Sequence, residues 1–307
     1  MVWDPEHIPT QVGKVFVVTG GNAGIGYFIA EQLAAAGGQV VITSRTQRRA
    51  DAAIAALRAQ VPGAQVSAVL LDLSSFPSVR AAAAELAALP RIDALIENAG
   101  TVMPTKERAE TENGDELMFG TNHLGHFLLT ALLFPTLERT PASRVVTMGS
   151  GATKLRGFDL DDLQSEKGRY SAFGTYAQSK HATQSFGFEL DRRLRAAGSS
   201  VTALVAHPGS AQDAVSPARP GVFSSTAGQR LKARLLFFLG GGKDRAAWSV
   251  VRAATDPDAR GGDYWGPRGN LSGPPVLQKP AAQSHGAGAG ASLWRASEEL
   301  VGQRFPI

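Results

Sequence analysis

An α/β fold built on one doubly wound parallel sheet, with helices on both faces, is predicted by three observations. Short β-branched runs alternate with alanine-rich helical stretches from residue 14 to about residue 209. No linker divides that alternation, so one domain accounts for it better than two. The first β-branched run also ends in a glycine-rich turn that opens directly into a helix.

The elements follow in order. KVFVVTG (14–20) is a continuous apolar run closed by glycine, which reads as a buried strand. From Gly24 to Ala36 the pattern is helical, and Gly37-Gly38 stops it. QVVITSR (39–45) is a second strand, and 47–60 a helix with Ala50, Ile54 and Leu57 on one face. QVSAVLLDL (65–73) is a third strand, 75–89 a helix, and RIDALIENAG (91–100) a fourth strand. A long helix covers roughly 112–139, and SRVVTMGS (143–150) is a fifth strand. A polar excursion over 151–170 precedes a helix at about 172–197, and SVTALVAHPG (200–209) is a sixth strand. Right-handed crossovers turn this order into a single Rossmann-type sheet. Beyond residue 210 the rhythm weakens. Segments 224–239 and 243–255 read as amphipathic helices and GGDYWG (261–266) as a short last strand, which closes a domain of residues 1–266. Rich in Gly, Pro, Ala and Ser, 267–292 reads as a loosely ordered surface arm. LWRASEELV (293–301) adds a short closing helix to this C-terminal arm, 267–307.

Composition excludes several classes. Of 307 residues, 43% are hydrophobic and 19% charged, which is globular and not disordered. There is no cysteine, hence no disulfide framework, no thiolate zinc site and no cysteine nucleophile. Met1 to Thr10 is polar and lacks the apolar core of a leader. No uninterrupted apolar run approaches 18 residues, and LLFFL (235–239) is far too short to span a bilayer. A soluble, cytoplasmic protein is expected. The net charge is +4, yet Arg48, Arg49, Arg192, Arg193 and Arg195 fall on polar faces of alanine-rich helices. They form no basic stripe with interleaved aromatics, so no nucleic-acid partner is expected.

Two stretches carry chemistry. TGGNAGIG (19–26) joins the first strand to the first helix. A pyrophosphate needs exposed N–H groups, a positive helix N-terminus and no side chains in the way. Gly20, Gly24 and Gly26 supply clearance, Asn22 can brace the turn, and Ile25 lies within it. Tight turns also use glycine for backbone reasons, but position at the first βα turn favours the cofactor reading. GTYAQSKHA (174–182) sets Tyr176 and Lys180 four residues apart, on one helix face. An ammonium there would favour phenolate and lower a phenol pKa that is ordinarily about 10.

The spacing Gly-x-x-x-Gly-x-Gly, ENAG (97–100) and Tyr-x-x-x-Lys together resemble the short-chain dehydrogenase/reductase family over roughly residues 10–266. FGTNHLGHFLLT (119–130), DLQSEKGRYSAFGTYAQSK (162–180) and AHPG (206–209) are most similar to its retinol-dehydrogenase-like branch. The resemblance implies that Tyr176 is the general acid/base and that Lys180 tunes it and holds the nicotinamide ribose. It further implies that Ser150 hydrogen-bonds the substrate oxygen and that Asn122 keeps a proton-relay water in place. Asp72 and Leu73 match the family's adenine contacts, Asn98, Ala99 and Gly100 its cofactor-supporting turn, and Pro208-Gly209 its nicotinamide loop. Glu97 replaces the usual first asparagine. Where an acidic residue would select NAD, the chain has Ser44-Arg45-Thr46, and the Arg45 fork suits a 2′-phosphate. NADP(H) is therefore expected in preference to NAD(H). Two departures stand out. Gly149-Ser150 replaces the family's Ser-Ser, and Ser210, Ala211, Gln212 and Asp213 stand where a threonine usually steadies the carboxamide. Ser210 or Gln212 could substitute, since both donate and accept hydrogen bonds.

Val102, Met103, Phe173 and the helix beginning near Phe223 offer mostly apolar walls, which points to a lipophilic alcohol, aldehyde or ketone. Two alternatives remain open. One is reduction of a conjugated double bond, as in related protochlorophyllide reductases, against which the absence of cysteine counts. The other is a non-catalytic NADP(H)-binding regulatory protein, motivated by the altered 209–213 loop. No metal is expected. His123 and His126 lack a third ligand at fitting spacing and read as helix packing. Asp159, Asp161 and Asp162 read as a solvated loop, and GAGAG (286–290) as flexible chain. Members of the family often pair through their long helices, which leaves a homo-oligomer open.

Overall fold

The apolar runs become strands, and all but the third are covered on both faces, as a parallel sheet flanked by helices requires; the third is an edge strand with Ser67 and Leu70 exposed. The computed structural model describes residues 4, 5, 7–223, 226 and 241–307. The strands are β1 (Val15–Val18), β2 (Gln39–Ser44), β3 (Val66–Leu70), β4 (Ala94–Glu97), β5 (Arg144–Met148), β6 (Thr202–Ala206), β7 (Tyr264–Pro267) and β8 (Pro275–Leu277). They form one sheet in the order β8-β7-β6-β5-β4-β1-β2-β3, parallel throughout except for β8. Pro275 opens β8 at the sheet edge, where a missing N–H is tolerated.

Helices α1 (Gly24–Ala35), α2 (Gln47–Gln60) and α7 (Trp248–Thr255) cover one face, through Phe28, Ile29, Leu33, Leu57, Val250 and Val251. The other face is covered by α3 (Phe76–Ala87), α4 (Leu117–Glu138), α5 (Ala172–Ala196) and α9 (Ala287–Val301). Two short helices are also found among the described residues, α6 (Lys243–Ala246) and α8 (Ala282–His285). Ser75 caps α3 and Ser171 caps α5, each hydroxyl accepting from a backbone N–H three residues on. By composition α4 is long and apolar enough to cross a membrane, but 83% of its most apolar window is buried inside the fold. It is a core helix here.

The chain leaves β1 toward β2 and β3 on one side and continues from β4 toward β5 on the other. The carboxyl ends of β1 and β4 therefore part at a topological switch point, where such sheets open a crevice.

Several sequence expectations need correction. β3 stops at Leu70, so Asp72 and Leu73 lie just beyond the strand. β4 stops at Glu97, because Asn98 turns out of the sheet to donate to the Thr19 carbonyl. The helix expected over 243–255 is two helices meeting at Ala247, which keeps right-handed helical angles. The helix expected over 224–239 lies outside the described residues.

The largest correction concerns 267–292, expected as a loose surface arm. It carries β8, α8 and the first turns of α9, and the GAGAG stretch runs into that helix. Gly290 lets α9 approach α5, since a Cβ there would stand 2.6 Å from Arg192 Nη2 and 2.9 Å from Glu189 Oε2. Leu293, Trp294, Val301 and Phe305 then join Phe127, Phe134 and Phe186 in the core. Trp294 lies 4.8 Å from Phe305 and 5.2 Å from Phe127 between ring centroids, with the Arg193 guanidinium 4.3 Å above it. Tertiary packing overrides the low helix propensity of the glycines.

Trp294 is 4% exposed. Trp294→Ala is expected to destabilise the fold by about 3–5 kcal/mol, read as a lowered urea midpoint. A loss below about 1 kcal/mol would mean that the aromatic cluster is not part of the core.

Candidate active site

The crevice is built around Thr19, the residue after β1. Its hydroxyl accepts from Ala99 N at 2.9 Å and lies 2.9 Å from His126 Nε2, while its carbonyl accepts from Asn98 Nδ2 at 2.8 Å. Gly20 N donates to Thr43 Oγ1 at 3.1 Å, which ties the turn to β2. Neither threonine carries a sequence signature, and both were missed.

The turn then rises into α1. Ala23, the N-cap of α1, offers no side-chain acceptor, and no acidic residue stands in the first turn. Among the described residues no side chain caps the N–H groups of that first turn, which lie at the positive end of the helix dipole. Gly26 is required by space, since a Cβ would stand 2.6 Å from the Gly20 carbonyl oxygen and collide with Asn98 Nδ2. Asn22 is half-buried at the turn, and no side-chain hydrogen bond of Asn22 is found among the described residues. Ile25 packs against the α1-side core. Arg45 is exposed immediately after β2. Asp72 accepts from the N–H and hydroxyl of Ser74, and Leu73 is buried beneath α4 at Gly125. Uncapped amides, glycine clearance and an exposed guanidinium suit an anionic dinucleotide, so the residues fit the cofactor that the fold implies.

The proposed catalytic side chains converge at the end of β5. Ser150 follows that strand and caps the short 3-10 turn Gly151–Lys154. Tyr176 Oη lies 3.4 Å from Ser150 Oγ. Lys180 Nζ, one turn along α5, donates to the Met148 carbonyl at 3.0 Å. Asn122 sits in a single π turn, Gly120–Leu124, inside α4, and such turns often mark functional sites. Its side chain accepts from Thr101 N at 2.7 Å and donates to Thr101 O and Ser179 Oγ, each at 3.0 Å. Asn122 thus braces the Gly100–Thr101 loop against α5. Gly100 is close by, since a Cβ there would be 2.9 Å from Asn122 Oδ1 and 3.8 Å from Lys180 Nζ.

Burial pushes the Tyr176 phenol above its ordinary value, against the hydrogen bond to Ser150. This rise runs opposite to the lowering that the sequence leads one to expect from Lys180. Lys180 is itself pulled down by burial and held up by the Glu97 carboxylate. His123 and His126 are driven to about 3 and about 4, chiefly by desolvation, so both are neutral near pH 7. His126 Nδ1 donates to the Asn122 carbonyl at 3.0 Å, and His123 Nε2 lies 2.7 Å from Ser297 Oγ on α9. These are packing contacts.

The loop after Pro208-Gly209 folds back over the glycine turn. Ser210 N donates to Leu271 O at 2.8 Å, and Ala211–Gln212 pairs with Gly241–Gly242 in a small parallel ladder. Gly209 has φ +71°, and a Cβ there would stand 2.8 Å from Pro267 Cγ. Asp213 forms an ion pair with Lys243, whose Nζ is the nearest atom to a Cβ placed on Gly24, at 4.0 Å. An ammonium therefore reaches the glycine turn from more than two hundred residues away, which no local pattern could reveal. Of the walls expected around the substrate, Val102 and Met103 are exposed beyond β4, and Phe173 lies under the Arg156 guanidinium. Phe223 forms an isolated bridge with Arg219.

A doubly wound sheet whose cleared first turn adjoins a Ser-Tyr-Lys set defines an oxidoreductase of the dinucleotide-binding class. A family model described as short chain dehydrogenase matches residues 14–216. The chain belongs to the short-chain dehydrogenase/reductase family, in its retinol-dehydrogenase-like branch. It is 34% identical over 301 residues to human (Homo sapiens) retinol dehydrogenase 13, covering 97% of this chain and 87% of that one. It is 38% identical over 262 residues to the polyprenol dehydrogenase of Mus musculus, covering 84% and 76%. An uncharacterized protein from Mycobacterium paratuberculosis superposes with a TM-score of 0.80 at 34% identity, covering 99% of both chains. The Pseudomonas aeruginosa RhlG/NADP complex superposes with a TM-score of 0.60 at 25% identity, covering 84% and 95%.

Gly26→Ala must push Asn98 or the Gly20 carbonyl aside, and such overpacking costs about 1–3 kcal/mol. A lowered melting temperature is expected; a melting temperature equal to that of the unsubstituted protein would contradict the tight approach.

Proposed function

We propose that this chain transfers hydride between NADP(H) and a lipophilic alcohol, aldehyde or ketone, with Tyr176 as the general acid/base. The observation that carries this reading is the meeting of Tyr176 Oη and Ser150 Oγ at 3.4 Å, with buried Lys180 beside them and the glycine turn adjoining.

When bound, the nicotinamide supplies or accepts the hydride. The protein's own part is the proton. Ser150 Oγ holds the substrate oxygen in hydrogen-bond reach of Tyr176. In reduction Tyr176 gives its proton to that oxygen, and in oxidation it takes the proton back. Lys180, held against the Met148 carbonyl, stabilises the negative charge left on the phenol. Asn98, Gly100 and Asn122 fix the floor of the cofactor site relative to α5.

Preference for NADP(H) is supported by the exposed Arg45 fork after β2 and by the NADP complex of the similar RhlG. Lys243 against the glycine turn adds a second cation toward the pyrophosphate. A lipophilic substrate is supported by Val102 and Met103 beyond β4, Leu155 beyond β5 and Leu271 between β7 and β8. All four are exposed in loops leaving the carboxyl ends of strands, where substrate must sit. Retinol and polyprenol, in the names of the relatives, are lipophilic alcohols. A cytoplasmic location belongs to the same reading, with α4 packed inside the fold.

Tyr176→Phe is expected to leave the NADPH dissociation constant unchanged and to lower turnover by about 10²–10⁴-fold. The measurement is NADPH consumption over a panel of lipophilic aldehydes, ketones and enones. Turnover equal to that of the unsubstituted enzyme rejects Tyr176 as the acid, and consumption with enones alone favours double-bond reduction. Arg45→Ala is expected to weaken NADPH by about 10- to 100-fold in a fluorescence titration while NADH is unaffected. Equal weakening of both cofactors would remove Arg45 from 2′-phosphate recognition.

A further inference from the structure

Glu97 stands where the family resemblance expects asparagine. It closes β4 and is 1% exposed. One carboxylate oxygen accepts from Thr130 Oγ1 on α4 at 2.5 Å, and the other accepts from Thr147 Oγ1 on β5 at 3.0 Å. Thr147 is its register partner across the sheet, and both hydroxyls are fully buried. Two donated hydroxyls suit an ionised carboxylate, which accepts at both oxygens.

Lys180 is the matching cation. It is 5% exposed, and among the described residues its hydrogen-bond acceptor is the carbonyl of Met148, the residue next to Thr147. A buried ammonium with a single neutral acceptor is unfavourable, and a nearby carboxylate answers it. Burial raises the Glu97 carboxyl to about 7, against the two threonine hydroxyls and the Lys180 ammonium, and lowers Lys180 to about 8, against the Glu97 carboxylate, so each group favours the charged form of the other. The other titratable groups facing the pair are His126 on α4, which is neutral, and Tyr176 on α5. From β5 the neighbours are the Thr147 hydroxyl and the Met148 carbonyl.

We propose that Glu97 is a positioning residue of the proton-transfer site, the internal counter-charge that keeps Lys180 cationic and thereby sets the pH range in which Tyr176 works. The proposal rests on the acid/base reading of Tyr176 given above. It makes the departure from asparagine functional. A neutral side chain at this position would leave the ammonium to the Met148 carbonyl alone. Removal of a buried negative charge lowers the pKa of both Lys180 and Tyr176, so the sign of its effect is fixed by electrostatics.

Glu97→Gln keeps the shape and removes the charge. The alkaline limb of the pH profile of kcat/KM for carbonyl reduction is expected to move to lower pH by about one unit or more. NADPH affinity at the acidic end of the profile stays unchanged. A second readout needs no turnover: the 13C resonance of the Lys180 side-chain Cε, assigned by its loss in Lys180→Arg, titrates at lower pH in Glu97→Gln. If the unsubstituted enzyme reduces no carbonyl, the functional reading fails while this resonance still tests Glu97. A slower enzyme with both limb and resonance unmoved would show that Glu97 only supports the fold, and the proposal is overturned. Should Glu97→Gln fail to fold, Thr130→Val removes one donor from the carboxylate and is expected to shift the same resonance the same way by less. An unmoved resonance there overturns the proposal equally.

Discussion

Where two neighbouring strands of a parallel sheet part, their last backbone groups lose ladder partners and must be satisfied by something else. Thr19 meets that requirement at the β1–β4 divergence. Through one hydroxyl and one carbonyl it ties Ala99, Asn98 and His126 together, and the rest of the site hangs from that knot. His126 hands the connection to the Asn122 carbonyl, and Asn122 passes it to Thr101 and to Ser179 on the helix that carries Tyr176 and Lys180. A continuous path of hydrogen bonds thus runs from the glycine turn to α5. Such a network is rigid because each member, once desolvated, has no water to fall back on.

The same dryness governs the charges. Histidines inside this region are neutral, which keeps rival cations away from Lys180. The Tyr176 phenol is raised by burial, which favours its protonated form. Electrostatic effects are strong where water is excluded, and the fold places its ionisable groups there sparingly.

Much of this was legible in the sequence, for a physical reason. The strand–helix rhythm from 14 to 209 is written by local periodicity, and the observed elements follow it to within a few residues at most boundaries. The glycine turn was legible because only glycine clears a close approach, and Tyr176-Lys180 because one helical turn fixes their separation. What was hidden depends on residues distant in the chain. Segment 267–292 looks unstructured by composition, and it becomes ordered only through contacts of Trp294 and Phe305 with Phe127 and Phe186. Lys243 reaches Gly24, and Glu97 meets Thr130 and Thr147, only after the sheet has formed. The 209–213 loop departs from the family's pattern in its residues. Its backbone is pinned to Leu271 and Gly241, and its Asp213 holds Lys243 in place.

The C-terminal helix has a consequence in time as well as in space. The outer face of α5, with Phe186 and Arg193, is completed by Trp294 and Phe305, about a hundred residues later in the chain. A nascent chain emerging from a ribosome can pair β1 through β6 long before those two side chains exist, and until then an aromatic surface on α4 and α5 stands uncovered. Domains that depend on such late contacts fold slowly and expose sticky intermediates. For this protein the helix bearing Tyr176 and Lys180 is made about a hundred residues before the side chains that finish its packing.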